Sequence, residues 1–328
     1  MNIYITLDYE LFFGSESGSV DNCIIKPTEA LLKIVKPYNI KFVFFVDIGY
    51  LVKLEEHKEQ FPELQDDYLK ITGQIRYLAK NGHGIELHIH PHWEDSYFDG
   101  NQWVFDTSRY KLADFSSDEI NNIVTKYTET LKRISGKEPI AYRAGGWSAQ
   151  PFKVIGKALM ANNISIDSTV FAGGYYKSSN QNYDFRNIEQ YKTRYRFSED
   201  LTIENEKGYF QEIQISSYEV SPIFFWKFAY HKLRKQKKHI AFGDGQAIPK
   251  TKKDTIKLLL KHSKSVVSID GYKSSYLIKA YNTYKKNTKD KGDFVIIGHP
   301  KALTPYSLKM LSKFLETTNK VSNFKIFK

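Results

Sequence analysis

His88, His90 and His92 occupy alternate positions in the stretch Gly84-Ile85-Glu86-Leu87-His88-Ile89-His90-Pro91-His92-Trp93. On an extended chain, side chains two residues apart share a face, so the three imidazoles can line one edge. A bend at Pro91 still lets His88 and His92 converge. Neutral imidazole is the commonest metal-ligand side chain. Isolated histidines are more often hydrogen-bonded surface groups, but three of the chain's nine fall within five residues, which points to a metal site. A hydrolytic metal centre takes about three protein ligands and leaves one position open for water, whose pKa the ion lowers. Asp8 and Glu10 also lie two apart, at the end of an opening apolar run. One of them can join His88 and His92 as the carboxylate ligand while the other acts as general base. A single Asp at a strand end is commonly a cap; the pair favours chemistry.

The elements that must position these groups alternate. The pattern predicts strands over Asn2–Tyr9, Lys41–Asp47, Gly84–His90, Pro139–Tyr142, Ile164–Asp167, Tyr209–Ser216, His239–Phe242, Val266–Ile269 and Asp293–Ile297. Between them it predicts helices over Pro27–Pro37, the region up to Asn81 with Gly82 as its stop, Ser117–Ser135 with Ser117 as cap, and Gln150–Asn162. Further helices are expected over Pro222–Lys235, Thr251–Ser263, Tyr272–Asn287 and Thr304–Thr318. Repeated β-α units imply a parallel sheet with helices outside it. We expect an α/β fold, a distorted (β/α) barrel of seven or eight parallel strands. It forms a single domain over residues 1–328, with loop insertions at about 93–115 and 172–205. No Gly-x-Gly-x-x-Gly follows the first strand, which removes the dinucleotide-binding alternative. Parallel barrels place reacting groups at the C-terminal ends of their strands. Asp8, Glu10, the histidine run, Arg143, Asp167 and His299 all fall at such ends.

The chain has 328 residues, 41% hydrophobic and 15% aromatic, enough for a large core and rich in Tyr and Phe. It opens directly on a strand rather than on a secretory signal, and no window is long and apolar enough to span a membrane. With one cysteine, Cys23, no intramolecular disulfide can form. A cytoplasmic location is therefore expected. The net charge of +11 is uneven: residues 227–291 hold 18 Lys and Arg against 4 Asp, so that segment carries +14 and the rest −3. Such a face can be simply solvated, or it can draw an anionic partner, including peripheral contact with an anionic membrane. No phosphate-binding loop or nucleic-acid signature accompanies it, so no nucleic acid is expected.

Five motifs carry a resemblance. Thr6-Leu7-Asp8-Tyr9-Glu10, His88-Ile89-His90-Pro91-His92, Tyr142-Arg143-Ala144-Gly145-Gly146-Trp147-Ser148, Ile166-Asp167-Ser168 and Ile297-Gly298-His299-Pro300 resemble, in order and spacing, those of the polysaccharide deacetylases. These are the NodB-like proteins, or carbohydrate esterase family 4. The resemblance implies Asp8 as general base, and Glu10, His88 and His92 as ligands of one divalent metal ion. Zn is favoured, with Co, Ni, Mn or Fe as alternatives. It implies Arg143 as the partner of the base and His299 as the acid that protonates the leaving amine. His90 and Asp167 are expected behind these groups, Asp167 orienting His299 or Arg143. Backbone near Gly145 and Gly146 is expected to meet the oxyanion, where glycine lets the chain approach substrate. Trp147, Trp93 and Trp103 are candidates to stack on sugar or to pack in the core. Two departures stand out: Asp-Tyr-Glu replaces the usual Asp-Asp, and Gly145 replaces the usual proline after Arg-Ala.

The resulting expectation is a metal-dependent carbohydrate N-deacetylase acting on an N-acylated amino sugar, nucleotide- or lipid-linked, in surface-polysaccharide biosynthesis. A deformylase or cyclic-amide hydrolase would use the same site. A catalytically inactive sugar- or nucleic-acid-binding module is the alternative from another class.

Overall fold

The computed structural model describes residues 1–328 except 235 and 249–251, and the side chains of 232 and 252–254 are also left undescribed. Eight strands form its main sheet: β1 (Asn2–Tyr9), β2 (Val43–Asp47), β3 (Gly84–Ile89), β4 (Ala141–Ala144), β5 (Ile166–Asp167), β6 (Arg194–Phe197), β7 (Phe210–Ile213) and β8 (Asp293–Gly298). Their spatial order is β6-β7-β5-β4-β3-β2-β1-β8, parallel throughout except for the antiparallel β6–β7 pair. A ninth short strand, β9 (Asn323–Phe324), adds to the start of β1.

Closure comes from the segment beyond β7. The Ser216 N–H donates to the Val295 carbonyl at 3.0 Å, and the Ser216 hydroxyl accepts from the Val295 N–H at 3.0 Å, so the β7 side reaches β8. The Val267–Ile269 stretch then runs beside β8 through Ile297 N to Val267 O and Ile269 N to Ile297 O, each 3.0 Å. The result is a nearly closed, distorted (β/α) barrel.

The central strands β1 to β5 and β8 are buried on both faces almost throughout. In β2, all five residues of Val-Phe-Phe-Val-Asp are buried, as parallel strands flanked by helices require. The covering helices are α1 (Lys26–Val35), α2 (Ile48–His57), α3 (Pro62–Lys80), α4 (Ser117–Ser135), α5 (Phe152–Ala161), α6 (Pro222–Leu233), α7 (Lys252–Leu260), α8 (Leu277–Asn287) and α9 (Pro305–Thr318). The start expected for α7 at Thr251 and the end expected for α6 at Lys235 lie outside the described residues. Gly82, at φ +82°, follows α3 as expected.

Four local expectations change. Ser116 caps α4, not Ser117: its hydroxyl accepts from the Glu119 N–H while the Glu119 carboxylate accepts from the Ser116 N–H. His239–Phe242 is not a strand. A 3-10 turn covers Lys237–His239, and the Phe242 and Gly243 N–H groups donate to Leu303 and Lys301, outside the sheet. The stretch 172–205 is more than an insertion, because its Arg-Tyr-Arg-Phe segment alternates exposed and buried and forms the edge strand β6. Residues 93–115 hold a two-stranded hairpin, Tyr97–Phe98 with Trp103–Val104, instead of a structureless loop.

Candidate metal and catalytic site

Strand register sets the site. Asp47, His88 and Arg143 stand opposite one another on β2, β3 and β4, at the C-terminal rim of the barrel. From β1 and the residue after it, Asp8 and Glu10 point into the same interior and are buried.

Glu10 Oε2 lies 3.2 Å from His88 Nε2 and 2.8 Å from His90 Nε2, and the two imidazole nitrogens are 3.1 Å apart. All three residues are buried. The other ring nitrogen of His88, Nδ1, is 2.9 Å from the Arg143 carbonyl. A carbonyl only accepts, so Nδ1 carries a proton and Nε2 is the nitrogen that faces Glu10 and His90. Three ligand atoms about 3 Å apart suit a cation with bonds of about 2.0–2.2 Å, whose tetrahedral ligands lie somewhat over 3 Å from one another. The local field asks for positive charge. Burial opposes protonation of His88, but Asp8, Glu10 and Asp47 outweigh it and push its pKa up to about 9. The residues present therefore fit a divalent ion.

The structure groups His90, and not the expected His92, with Glu10 and His88. His92 stands apart from this group: it is buried, stacked at 5.7 Å and 1° on Tyr110, beside Trp93, with neither ring nitrogen hydrogen-bonded. Burial, followed by the nearby His90, holds its pKa well below the usual histidine range, so it is neutral. The short 3-10 turn Pro91–Asp95 causes the difference. Once the extended chain ends at Pro91, the period-two facing of His88 and His90 stops, and His92 rotates into the aromatic layer. Phe13, from the loop after β1, covers both rings at centroid distances of 4.4 Å from His90 and 4.7 Å from His92.

Beside the Glu-His-His group, Arg143 is fully buried and bonded at every nitrogen. Nη1 donates to Asp8 Oδ1 at 2.6 Å, Nη2 to Thr6 Oγ1 at 3.0 Å and Ser168 Oγ at 3.2 Å, and Nε to the Ser168 carbonyl at 2.7 Å. Its guanidinium also lies 4.1 Å over the Phe45 ring. His299 Nε2 is 3.6 Å from Asp8 Oδ2 and 3.8 Å from Glu10 Oε1, while its Nδ1 is 2.8 Å from Asp270 Oδ2. Burial disfavours the charged imidazole, yet Asp270 first, then Asp8 and Glu10, leave its pKa raised.

Asp167 does not reach His299 or Arg143 with a hydrogen bond. Its carboxylate accepts from the Thr169 N–H at 2.9 Å and hydroxyl at 3.0 Å and faces Glu212 across the β5–β7 pairing. Burial raises the pKa of both carboxyls, and Asp167 drives that of Glu212 up further. The orienting role expected of Asp167 falls instead to Asp270 for His299 and to Ser168 for Arg143. Trp93 is fully buried, with its indole N–H donating to Asp47 Oδ2 at 2.7 Å, and Trp103 packs against it. Both are core. Trp147, half-buried against Phe171 and Tyr183, lines an open groove.

Gly145 is required by His90: a β-carbon there would sit 2.6 Å from its Nδ1. Gly146, at φ +56°, turns the chain so that its carbonyl accepts from Gln181 Nε2 at 2.6 Å. The groove over the site has a volume of about 1010 Å³ and is lined by Glu10, Tyr110, Trp147, Tyr176, His299 and Lys301. A larger depression of about 1280 Å³ lies at the opposite, N-terminal end around Asn2, Arg194 and Asp293, and holds none of the motif residues.

Two site residues were missed from the sequence. Lys301 Nζ donates to Glu10 Oε1 at 2.9 Å and to the Leu11 carbonyl, and it is buried over the Phe12 and Phe13 rings. Asp270 is the other. The available signal was weak in both cases: Lys301 follows His299-Pro300 directly, and Asp270 ends the apolar run Val266–Ile269.

All five motifs thus meet at one rim of one barrel, in chain order. The chain resembles the polysaccharide deacetylases. No protein-family model matches the sequence, and no curated protein does. Among solved structures, a Mycobacterium smegmatis protein assigned as a polysaccharide deacetylase is similar over 98% of this chain and 85% of its own, with 17% identity and a TM-score of 0.49. PuuE allantoinase is similar over 100% of this chain and 87% of its own, at 11% identity and TM-score 0.48. The family 4 carbohydrate esterase from Streptomyces lividans, solved with acetate, covers 100% and 93%, at 7% identity and TM-score 0.40.

Proposed function

We propose that this protein is a metal-dependent hydrolase that removes an N-acyl group, N-acetyl foremost, from an amino sugar in surface-polysaccharide biosynthesis. One observation carries the reading: Asp8 and His299 flank a buried Glu10-His88-His90 group beneath an open groove. Those three residues would hold the ion. Zn suits two imidazoles and a carboxylate, and Co, Ni, Mn or Fe accept similar ligands. When bound, the ion supplies Lewis acidity, polarising a carbonyl and acidifying water.

The chain's own groups do the rest. Arg143 fixes Asp8 through Oδ1, which leaves Oδ2, 3.6 Å from His299 Nε2, as the oxygen that would take a proton from the attacking water. Asp270 accepts the His299 Nδ1 proton, so Nε2 faces substrate and delivers a proton to the departing amine. The N–H groups of Gly145 and Gly146 are the proposed donors to the oxyanion. Trp147 offers an aromatic face for a sugar ring. The basic segment 227–291 supports a sugar linked to a nucleotide or lipid carrier, met in the cytoplasm, and contact with an anionic membrane.

Purified protein, assayed for metal content and then for acetate release from free and nucleotide-linked N-acetyl amino sugars, tests the reading. Acetate release should vanish with a chelator and fall at least about a thousandfold in Asp8→Asn, as loss of a general base implies. Formate release or ring opening of a cyclic amide instead would redirect the substrate class. An absence of acyl release from every substrate would leave only a binding module.

A further inference from the structure

Of the eighteen large apolar side chains that stand exposed among the described residues, nine fall between residues 223 and 260. Helix α6, Pro-Ile-Phe-Phe-Trp-Lys-Phe-Ala-Tyr-His-Lys-Leu, is apolar nearly all round, a pattern expected of a buried helix. One side is covered: Phe224 packs on Tyr272 at 5.3 Å and on Tyr276 at 5.0 Å. Ile223, Trp226, Tyr230 and Leu233 recur at helical spacing on another face and are exposed, Leu233 by 83%. The Trp226 indole N–H donates to the Leu259 carbonyl at 3.1 Å, joining α6 to α7. On α7, Ile256 and Leu260 are exposed one turn apart, Leu260 by 69%. Two helices joined at Trp226 thus both carry exposed apolar side chains.

Charge decides what that surface fits. Lys227 and Arg234 border the stripe on α6, while Lys257 and Lys261 follow Ile256 and Leu260. Exposed Trp and Leu ringed by Lys and Arg is the composition of a helix lying in the plane of an anionic bilayer. A protein partner of ordinary composition would not require a surrounding excess of one sign. Ile248, Lys257, Leu258 and His262 also line the groove that holds Glu10 and His299, so α7 borders the mouth of the site.

We propose that the α6–α7 surface docks on an anionic lipid bilayer, with Trp226, Leu233 and Leu260 entering the headgroup region and the lysines facing lipid phosphates. No helix among the described residues is long and apolar enough to cross a membrane, and a surface helix needs no such span. Docking places the groove at the interface, where an acyl amino sugar on a lipid carrier would be presented. That consequence rests on the hydrolase reading; the docking itself does not.

Flotation of the full chain with phosphatidylcholine vesicles, with and without phosphatidylglycerol, tests it. Binding should appear only with the anionic lipid and weaken by roughly fivefold for each lysine charge removed. It should be lost by more than tenfold in Leu233→Ser combined with Leu260→Ser, and in Lys227→Glu combined with Lys261→Glu. Circular dichroism should stay unchanged, as these side chains are exposed. Acetate release from a soluble substrate should be unaltered in the Leu233→Ser, Leu260→Ser variant, which separates failure of docking from failure of the hydrolase reading. An absence of vesicle binding, or equal binding by both variants, would overturn the proposal. So would a concentration-dependent dimer that the serine variant dissociates, because the second copy would then be the occupant.

Discussion

Lys301 Nζ sits 2.9 Å from Glu10 Oε1, on the carboxylate oxygen that faces away from His88 and His90. Burial pushes Glu10 upward, but Lys301 first, then His90 and His88, hold its carboxyl well below the ordinary range. The lysine thereby fixes Glu10 as an anion and leaves Oε2 alone to face the imidazoles. Replacing Lys301 with Met should destabilise the fold by about 3 kcal/mol, because a buried carboxylate loses its charge partner. Thermal denaturation measures this. Titration with Co(II) should show weaker ion binding in the variant, partly restored in Lys301→Arg; unchanged affinity would limit Lys301 to a packing role.

The histidines offer a sharper contrast. His90→Asn should abolish ion binding, since its Nε2 is one of the three converging atoms. His92→Phe should keep it, because the ring is neutral, without hydrogen bonds and already enclosed by aromatic side chains. Metal content of the two purified variants decides between this set and the His88–His92 set that the family resemblance implied.

A proton donor works only while protonated, so on the proposed mechanism activity falls as pH rises through the pKa of His299. Asp270 is the chief group raising that pKa against the effect of burial. Asp270→Asn should therefore shift the descending limb of the kcat/KM profile to lower pH while leaving the ascending limb in place. An unmoved limb would remove His299 from the acid role.

Glu86 gives a stability signature away from the reacting groups. Both of its neighbouring bonds, from the Ile140 N–H at 2.9 Å and the Ala141 N–H at 2.8 Å, favour ionisation, but burial dominates and raises the pKa to about 8. The folded state then keeps a proton that the unfolded chain releases above about pH 4.5. Stability is lost as pH climbs from about 4.5 to about 8, by up to about 1.4 kcal/mol per unit. Glu86→Gln retains an acceptor for both N–H groups. Its melting temperature, relative to wild type, should rise more at pH 8 than at pH 5.

The sequence by itself determined the alternation of β and α segments, the barrel, and the five motifs at strand ends, because burial on both faces leaves continuous apolar runs and strand ends are set locally. Period two placed Asp8 with Glu10 and lined up His88, His90 and His92 without choosing between His90 and His92, the resemblance named His92, and Arg143 with Asp8 followed from the resemblance. Tertiary structure decided what those local rules cannot reach. The turn at Pro91 ends the extended facing and sends His92 into the aromatic layer, so the imidazole grouped with Glu10 and His88 is that of His90. Lys301 meets Glu10 across 291 residues, and Asp270 meets His299 across 29. Asp167, at an equally well-chosen strand end, turns to Glu212 because β7 pairs beside β5. A strand end says where a side chain starts; only the packed barrel says which distant charge it faces.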